Sequence, residues 1–376
     1  MPDEALDLQE DDTEEQFEFP PPERRIFTQP YDLSLQTLLE QWDTGSLELP
    51  EIQREYVWDN GRASRLIESF ILNIPVPPVY FAERQDAVLE IIDGHQRVKS
   101  VVRFMKNEFA LTGLRVLSEY MRCRFHQLPK REQRFLKTRS IRAIVISHDS
   151  HPNMKFEVFE RLNTGGIVLN AQELRNSLYR GTFNRRLKAL ANDPAFRTCI
   201  GTKKPRRRMV DEELILRWFA MHDELAEYRP PLKRFLNEYM DEHKDADQDW
   251  LAPREQAFRH TMRRIDRLLG GQAFRLIDAD GNPLKDSEGK PLPRGVNRAL
   301  FDAQALAFSW AVTPIGEEPR KSILQSIADV LTRDEFQDAV RRATGDRARL
   351  RLRIGLMVEA LESGGLLLDV PAEPDL

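Results

Sequence analysis

The sequence changes character near its middle, and this change limits the folds that the chain can adopt. In the first part, short strand-like apolar runs such as residues 87–93 alternate with amphipathic segments such as residues 60–74. From Met154 onward, apolar residues recur almost everywhere at the three- and four-residue spacing of helices. No fixed-period repeat or heptad pattern is present. We therefore predict an α/β module followed by an all-α helical domain.

Local patterns assign the individual elements. The predicted strands are residues 46–52, 78–82, 87–93, 121–126 and 141–147. The predicted helices are residues 60–74, capped by Asn60, and 95–105, then 210–227, 231–241, 253–269, 297–312, 320–331 and 346–362. Asn170 and Glu173 have the spacing of a capping box, which predicts a further helix as far as Tyr179.

Length and composition indicate a soluble chain with about two domains. The 376 residues are 41% hydrophobic and 31% charged, which excludes a wholly disordered protein. No apolar run reaches the roughly 18–20 residues that span a bilayer, and the N-terminus lacks signal-peptide features. Two cysteines, Cys123 and Cys199, are too few for a disulfide framework. We expect a cytoplasmic protein with no membrane partner.

Charge is unevenly distributed along the chain. Residues 1–23 contain ten acidic and no basic side chains, so residues 24–376 carry +5 although the whole chain carries −5. We predict a disordered acidic tail at residues 1–25. Basic residues cluster at 130–142 and 203–208. Each cluster is either a solvated surface or a contact with a polyanion such as DNA, and both interpretations stay open.

The segment IIDGHQR at residues 91–97 carries the most chemical information. An apolar strand ends at Asp93, turns at Gly94 and enters a helix whose first amides favour an anion. Arg97 offers a two-pronged donor to phosphate oxygens, and Asp93 can hold magnesium or orient a water molecule. The alternative is structural: Asp93 caps the helix, or Arg97 pairs with a nearby carboxylate.

Two other segments suit a nucleotide. QREYVW at residues 53–58 places a cation beside Tyr56 and Trp58, which can stack on a base or sugar or can instead belong to the core. FERLNTGG at residues 159–166 ends a helix in short polar residues and two glycines, and this suits a phosphate or ribose contact. Each segment alone is a weak signal.

In their order and spacing, the three motifs resemble the domain-of-unknown-function 262 family, over roughly residues 30–180. That family includes the nucleotide-hydrolysing part of GmrSD-type modification-dependent restriction enzymes and the N-terminal domain of SspE-type defence proteins. The resemblance implies a ParB/sulfiredoxin-like α/β fold at residues 26–180, with the helical domain at 181–376. The family motif is DGQQR, and this chain has His95 at the third position.

The resemblance also implies a site that binds a nucleoside triphosphate with magnesium. Asp93 would hold the metal, while Arg97 would offset phosphate charge and Asp93 or Gln96 would position the attacking water. The implied catalytic residues are Asp93, His95, Gln96 and Arg97. The implied nucleotide-binding residues are Gln53, Arg54, Tyr56, Gly94, Asn163 and Gly166.

Several functions remain open on this basis. Relatives often carry a C-terminal HNH nuclease domain, but the histidines of residues 181–376 are scattered, so the chain resembles a stand-alone form. We expect a nucleotide-binding, NTP-hydrolysing component of a prokaryotic anti-phage or restriction system acting on DNA. The alternatives are a ParB-like DNA-binding regulator without turnover and a DNA nickase of that fold. A separate nuclease or modification enzyme, and a second copy of the chain, are further candidate partners.

Overall fold

The computed structural model describes residues 24–49, 56–162, 170–278, 281–285 and 289–371. These residues divide into two compact units, one before residue 170 and one from residue 170 onward. The first contains a mixed five-stranded sheet with helices, and the second is helical apart from isolated bridges. The predicted combination of an α/β module and a helical region is confirmed. The predicted boundary at residue 180 stays a prediction.

The sheet of the first unit has the order β1-β5-β3-β4-β2. Its strands are β1 (Thr28–Ser34), β2 (Leu47–Glu48), β3 (Val79–Glu83), β4 (Leu89–Asp93) and β5 (Ser140–Ile146). β3 and β4 form an antiparallel hairpin, β3 runs parallel to β5, and β4 runs parallel to β2. This confirms the strands predicted at 78–82, 87–93 and 141–147. The strand predicted at 46–52 is described only as far as residue 49, where it is the short β2.

β1 was not predicted, and its position explains why. It lies at the edge of the sheet and pairs antiparallel with β5 alone. Five of its seven residues are exposed, so no buried face imposes an alternating pattern on the sequence. Pro30 is acceptable there because an edge strand has no second neighbour that needs its missing amide.

Five helices complete the first unit: α1 (Leu35–Asp43), α2 (Asn60–Ile71), α3 (His95–Met105), α4 (Lys130–Thr138) and α5 (Pro152–Leu162). Side chains from α1 to α4 share one buried apolar cluster with the sheet. The helices predicted at 60–74 and 95–105 are confirmed as α2 and α3. The predicted cap of α2 was wrong, because Asp59 accepts the Arg62 amide at 2.6 Å. A carboxylate at this position also interacts favourably with the helix dipole.

The strand predicted at residues 121–126 was wrong. Short 3-10 turns occupy Ser118–Tyr120 and Phe125–Gln127. Between them, Arg122 has a left-handed φ of 68°. Residues 122 and 123 exchange backbone hydrogen bonds with Leu111, so the local pairing is real but extends no further. A left-handed residue breaks the extended backbone that a strand needs.

The described residues of the second unit form ten α-helices. They are α6 (Ala171–Leu178), α7 (Thr182–Leu190), α8 (Pro194–Ile200), α9 (Val210–Glu224), α10 (Leu232–His243), α11 (Gln248–Leu268), α12 (Arg298–Ser309), α13 (Arg320–Leu331), α14 (Asp334–Ala339) and α15 (Arg347–Ser363). The capping box of α6 is confirmed, with both reciprocal bonds at 2.8 Å. α7, α8 and α14 were not predicted. No helix in the described part of the chain is long and apolar enough to cross a membrane.

α11 begins five residues earlier than predicted. The helical pattern predicts a start at Pro253, where proline suits a first turn. Asp247 instead caps the helix by accepting the Trp250 amide at 2.9 Å, and Pro253 lies within the helix.

A buried ionic group joins three helices of this unit. Asp302 on α12 accepts two bonds from Arg217 on α9, at 2.9 and 2.5 Å, and one from Arg353 on α15, at 3.2 Å. All three residues are at most 5% exposed. Because an unpaired buried charge is very unfavourable, the group requires these three helices to keep their register.

Candidate functional site

The loop between β4 and α3 contains the predicted site. Gly94 has a left-handed φ of 92° and is the N-cap of α3, which begins at His95. A Cβ atom placed on Gly94 would lie 2.5 Å from Cγ1 of Val79 on β3. Glycine is therefore required both by the backbone conformation and by the close packing of the loop on the neighbouring strand.

Asp93 and Arg97 form an ion pair across this loop. Nη2 of Arg97 donates to Oδ2 of Asp93 at 2.8 Å and to the carbonyl oxygen of Pro78 at 3.1 Å. Asp93 does not cap the helix, since no side chain caps α3. Of the two structural alternatives, the pairing of Arg97 with a carboxylate is the one observed. The Asp93 side chain is 38% exposed and that of Arg97 is 18% exposed, so the pair lies at the surface of the loop.

Arg97 retains donor capacity beyond this pair. Its Nε atom is buried and has no hydrogen-bond partner among the described residues. A guanidinium group has five N–H donors in a fixed plane, and the bonds recorded for Arg97 come from Nη2. Because Nε is enclosed by the protein, an external acceptor would bind the terminal Nη groups, and Nη1 has no recorded hydrogen bond among the described residues.

Gln96 connects the DGHQR loop with the QREYVW motif. Its Oε1 accepts the amides of Val57 and Trp58 at 3.1 and 3.2 Å. Its Nε2 lies 2.7 Å from Nε2 of His95. Gln96 is only 9% exposed, so these bonds fix the orientation of its side chain. The two motifs, predicted to act together, are thus held together at residues 56–58.

Tyr56 is positioned by two residues of α3. Its hydroxyl lies 2.9 Å from Oγ of Ser100, and that hydroxyl donates to the backbone oxygen of Gln96 at 2.7 Å. The guanidinium carbon of Arg103 lies 4.5 Å from the centre of the Tyr56 ring. One ring face is thus in contact with a cation. Trp58 packs against the apolar core, as its structural interpretation predicted.

Ser100 and Val79 are site residues that the sequence analysis missed. Ser100 is fully buried and lies four residues after Gln96, on the same face of α3. A small polar residue on an apolar helix face was the available signal. Val79 gave no signal, because its contact with Gly94 depends on the pairing of two strands. Gln53, Arg54, Asn163 and Gly166 lie outside the described residues, and their roles stay predictions.

Metal-ligating groups near the loop are few. Asp93 belongs to no group of three potential ligands among the described residues. The one such group in the described part of the chain consists of Glu224, Glu242 and His243 in the second unit, with ligand atoms within 4.8 Å of one another. A magnesium ion at Asp93 would therefore depend on phosphate oxygens and water for most of its ligands, as is usual for this metal.

The basic cluster at residues 130–142 is mainly the exposed surface of α4. Its members Lys130, Arg131, Arg134 and Lys137 are exposed, and no ion pair is recorded for them among the described residues. Arg139 and Arg142 have structural partners: Arg139 donates to the Phe70 carbonyl, and Arg142 pairs with Asp32. The four cations on α4 are the part of this cluster that a polyanion could reach.

The cluster at residues 203–208 is more deeply involved in the fold. Arg206 donates to the buried carboxylate of Asp211 at 2.6 Å, and Arg208 donates to Glu173 at 3.1 Å. Lys203, Lys204 and Arg207 are exposed. About half of this cluster therefore stabilises the protein itself, a division that composition alone does not indicate.

A family model matches part of the chain. Residues 35–180 match the family model described as the N-terminal domain of the GmrSD restriction endonuclease. These residues include the whole β4–α3 loop. The match covers less than half of the chain. No curated protein matches the chain. Residues 35–180 of the chain are therefore similar to the N-terminal domain of the GmrSD restriction endonuclease.

Proposed function

We propose that the protein is a nucleotide-binding and NTP-hydrolysing component of a prokaryotic restriction or anti-phage system that acts on DNA. The observation that carries this proposal is Arg97, whose guanidinium retains donors at the N-terminus of α3 in a segment that is similar to the GmrSD N-terminal domain. The ParB/sulfiredoxin-like identity of the fold belongs to the proposal. DNA cleavage is assigned to a separate nuclease.

Phosphate binding follows from the local electrostatics. The N-terminus of a helix carries a partial positive charge, and the end of α3 has no side-chain cap. A phosphate oxygen at this end would meet the guanidinium of Arg97 as well. The carboxylate of Asp93 repels a phosphate unless a cation lies between them, so binding at this loop should depend on magnesium. Asp93 offers that cation one half-exposed carboxylate.

The hydrogen bonds of Gln96 indicate which ring nitrogen of His95 accepts a hydrogen bond. Because Oε1 of Gln96 accepts two amides, its Nε2 group must face His95 as a donor. Nε2 of His95 is then the acceptor of this hydrogen bond. We assign Gln96 a positioning role for His95 and for residues 57 and 58.

In the proposed reaction, three side chains of the loop act on the phosphates, the attacking water or the metal. Arg97 stabilises the charge of the phosphates, His95 contacts the nucleotide, and Asp93 orients the attacking water or holds the metal. Magnesium, when bound, supplies further neutralisation of phosphate charge. Tyr56, with one face on Arg103, would present its remaining surface to the base or ribose.

A second candidate is DNA binding without turnover. It is supported by the exposed cations of α4 and by the ion pair that already partly neutralises Arg97. In this case the loop binds a backbone phosphate, and nucleotide is not hydrolysed.

A calorimetric titration of nucleoside triphosphate, with and without magnesium, separates the two candidates. Arg97→Ala should weaken nucleotide binding by about 1.5–3 kcal/mol, the range for a hydrogen bond to a charged group. Lys106→Ala, which removes an exposed cation directly after the same helix, is the matched control and should bind as the wild type does. Unchanged affinity in Arg97→Ala, or no nucleotide binding by the wild type, would overturn the first candidate.

A further inference from the structure

Two helices of the second unit end side by side at a cluster of metal-ligating side chains. Glu224 is the last residue of α9, and Glu242 and His243 are the last two residues of α10. One potential ligand atom from each residue lies within 4.8 Å of the other two. The C-terminal end of a helix carries a partial negative charge, so two such ends that meet favour a cation.

His243 and Glu224 have the spacing of two ligands on one metal ion. Nε2 of His243 lies 3.4 Å from Oε1 of Glu224, which is long for a hydrogen bond to a carboxylate. Two atoms bonded to a tetrahedral zinc ion at its usual ligand distances are about 3.3–3.4 Å apart. The spacing therefore fits a shared metal ion.

The ring of His243 is held in place by two aromatic neighbours. It stacks on Trp250 of α11 with the ring centres 4.4 Å apart, and it makes an edge-on contact with Tyr239 at 4.5 Å. The side chain of His243 is 17% exposed and that of Glu224 is 30% exposed. Glu242 is exposed. An ion can therefore enter from the side of Glu242 and meet a histidine whose ring is already positioned.

Neighbouring cations pair with carboxylates outside the cluster. Lys244, which follows α10 directly, pairs with Asp241 at 2.8 Å. Arg254 pairs with Asp223 at 2.6 Å. Among the described residues, the ion pairs recorded for the two glutamates of the cluster involve no lysine or arginine. A bound metal ion would therefore supply the positive charge that these side chains do not supply.

The carboxyl group of Glu224 is affected by burial and by neighbouring charge. Burial raises its pKa, the hydrogen bond with His243 lowers it, and the charges of Glu242 and Asp223 raise it, so that the pKa stays above its ordinary value. Carboxylates that share a site repel one another unless a cation lies between them. A metal ion at this position would remove that repulsion.

We propose that Glu224, Glu242 and His243 bind a divalent transition-metal ion such as Zn²⁺. An imidazole ligand favours such an ion over Mg²⁺ and Ca²⁺, which prefer oxygen ligands alone. Three protein ligands leave the fourth tetrahedral position to water. The site lies within the second unit and is independent of the nucleotide and DNA binding proposed above.

The test is a calorimetric titration of the chelator-treated full chain with Zn²⁺. We expect one tight site per chain, with an affinity that falls at least about tenfold in Glu242→Gln, since even losing a group that only orients a ligand costs about 10–100-fold. Zinc should also raise the melting temperature of the wild type. Glu362→Gln, the same substitution at an exposed position of α15, is the matched control and should bind zinc as the wild type does.

A second variant separates loss of the ligand from loss of packing. His243→Phe keeps an aromatic ring against Trp250 but removes the ligand nitrogen. Without zinc it should melt near the wild type, and it should lose both zinc binding and the zinc-dependent rise in melting temperature. Unchanged zinc affinity in either variant, or no zinc binding by the wild type, would overturn the inference. Magnesium binding as tight as zinc binding would contradict the transition-metal assignment.

Discussion

The carboxylate of Asp93 lies 2.8 Å from the guanidinium that we expect to bind phosphate. An arriving phosphate group must therefore share Arg97 with Asp93 or displace it. The pair is partly exposed, and exposed ion pairs contribute at most about 1 kcal/mol to stability. The loop can thus exchange one anion for another at small cost to the fold.

Asp93→Asn separates binding from turnover. The variant keeps the size of the side chain but removes the negative charge, so nucleotide binding without magnesium should persist or tighten. Phosphate release should fall at least about a hundredfold, which corresponds to about 2.7 kcal/mol in the barrier. Steady-state phosphate release and metal-free titration measure the two effects.

Asp43→Asn is the control for Asp93→Asn, since Asp43 forms an exposed ion pair with Lys106 and the substitution is the same. It should leave both measurements unchanged. Hydrolysis that continues at the wild-type rate in Asp93→Asn would identify the carboxylate as merely a partner of Arg97 and would remove Asp93 from the proposed reaction.

The sequence identified some site residues better than others. Gly94 and Arg97 were recognisable because a strand, an Asp-Gly turn and a helix follow one another directly in the chain. The hydrogen bonds that Gln96 accepts from the amides of Val57 and Trp58 were not recognisable, because they join residues about 40 positions apart. Such a bond depends on how α3 packs against the segment before α2, which no local pattern encodes.

At the scale of elements, α2 holds a neighbouring loop through a buried carboxylate. Glu68 accepts the backbone amides of Arg115, Val116 and Leu117 at 3.0, 2.7 and 2.9 Å. The residue is 5% exposed. Burial raises the pKa of Glu68, but the hydrogen bonds from these amides outweigh burial and leave the pKa below its ordinary value.

This shift predicts a pH-dependent contribution to stability. A carboxyl group with a lowered folded-state pKa stabilises the protein above its unfolded-state pKa and loses this effect as the pH falls through the folded-state value. Glu68→Gln should therefore cost about 2–3 kcal/mol of unfolding free energy at pH 7 and clearly less in acid. Urea unfolding at both pH values tests this, and an equal cost at both would contradict the assignment.

The limits of a helix were predicted correctly where one face of the helix is buried along its whole length. α3 and α13 have the predicted limits, because apolar residues recur regularly along them. The short α7, α8 and α14 were missed, since six to nine residues give too few repeats of the pattern. The group of Arg217, Asp302 and Arg353 was also missed, because charged residues in an amphipathic helix ordinarily indicate solvent.

For the whole molecule, the opposite charges of tail and body predict how DNA affinity depends on salt. Removing residues 1–23 deletes ten carboxylates that would compete with DNA phosphates for the basic surfaces. The truncated chain should bind duplex DNA more tightly than the full chain, with the largest difference at low salt. Fluorescence anisotropy with a labelled duplex measures this effect.

The exposed surface of α4 can be tested in the same assay. Arg134→Gln combined with Lys137→Gln should reduce the salt slope by about 0.9 for each phosphate contact that is lost. Arg142→Gln is the matched control within the same cluster, because Arg142 is already paired with Asp32. A double variant that binds as the wild type does would exclude α4 from the DNA surface.

Because Gly94 has no side chain, the β4–α3 loop packs closely against the sheet, and this limits how the loop can move. Because the loop backbone packs directly on Val79, we expect the start of α3 and the strand β3 to move together as a rigid body. β3 lies between β5 and β4, so displacing the loop would mean shearing the middle of the sheet. The β4–α3 loop is therefore expected to stay fixed relative to the sheet, and any closure around a ligand bound there must come from segments that approach it.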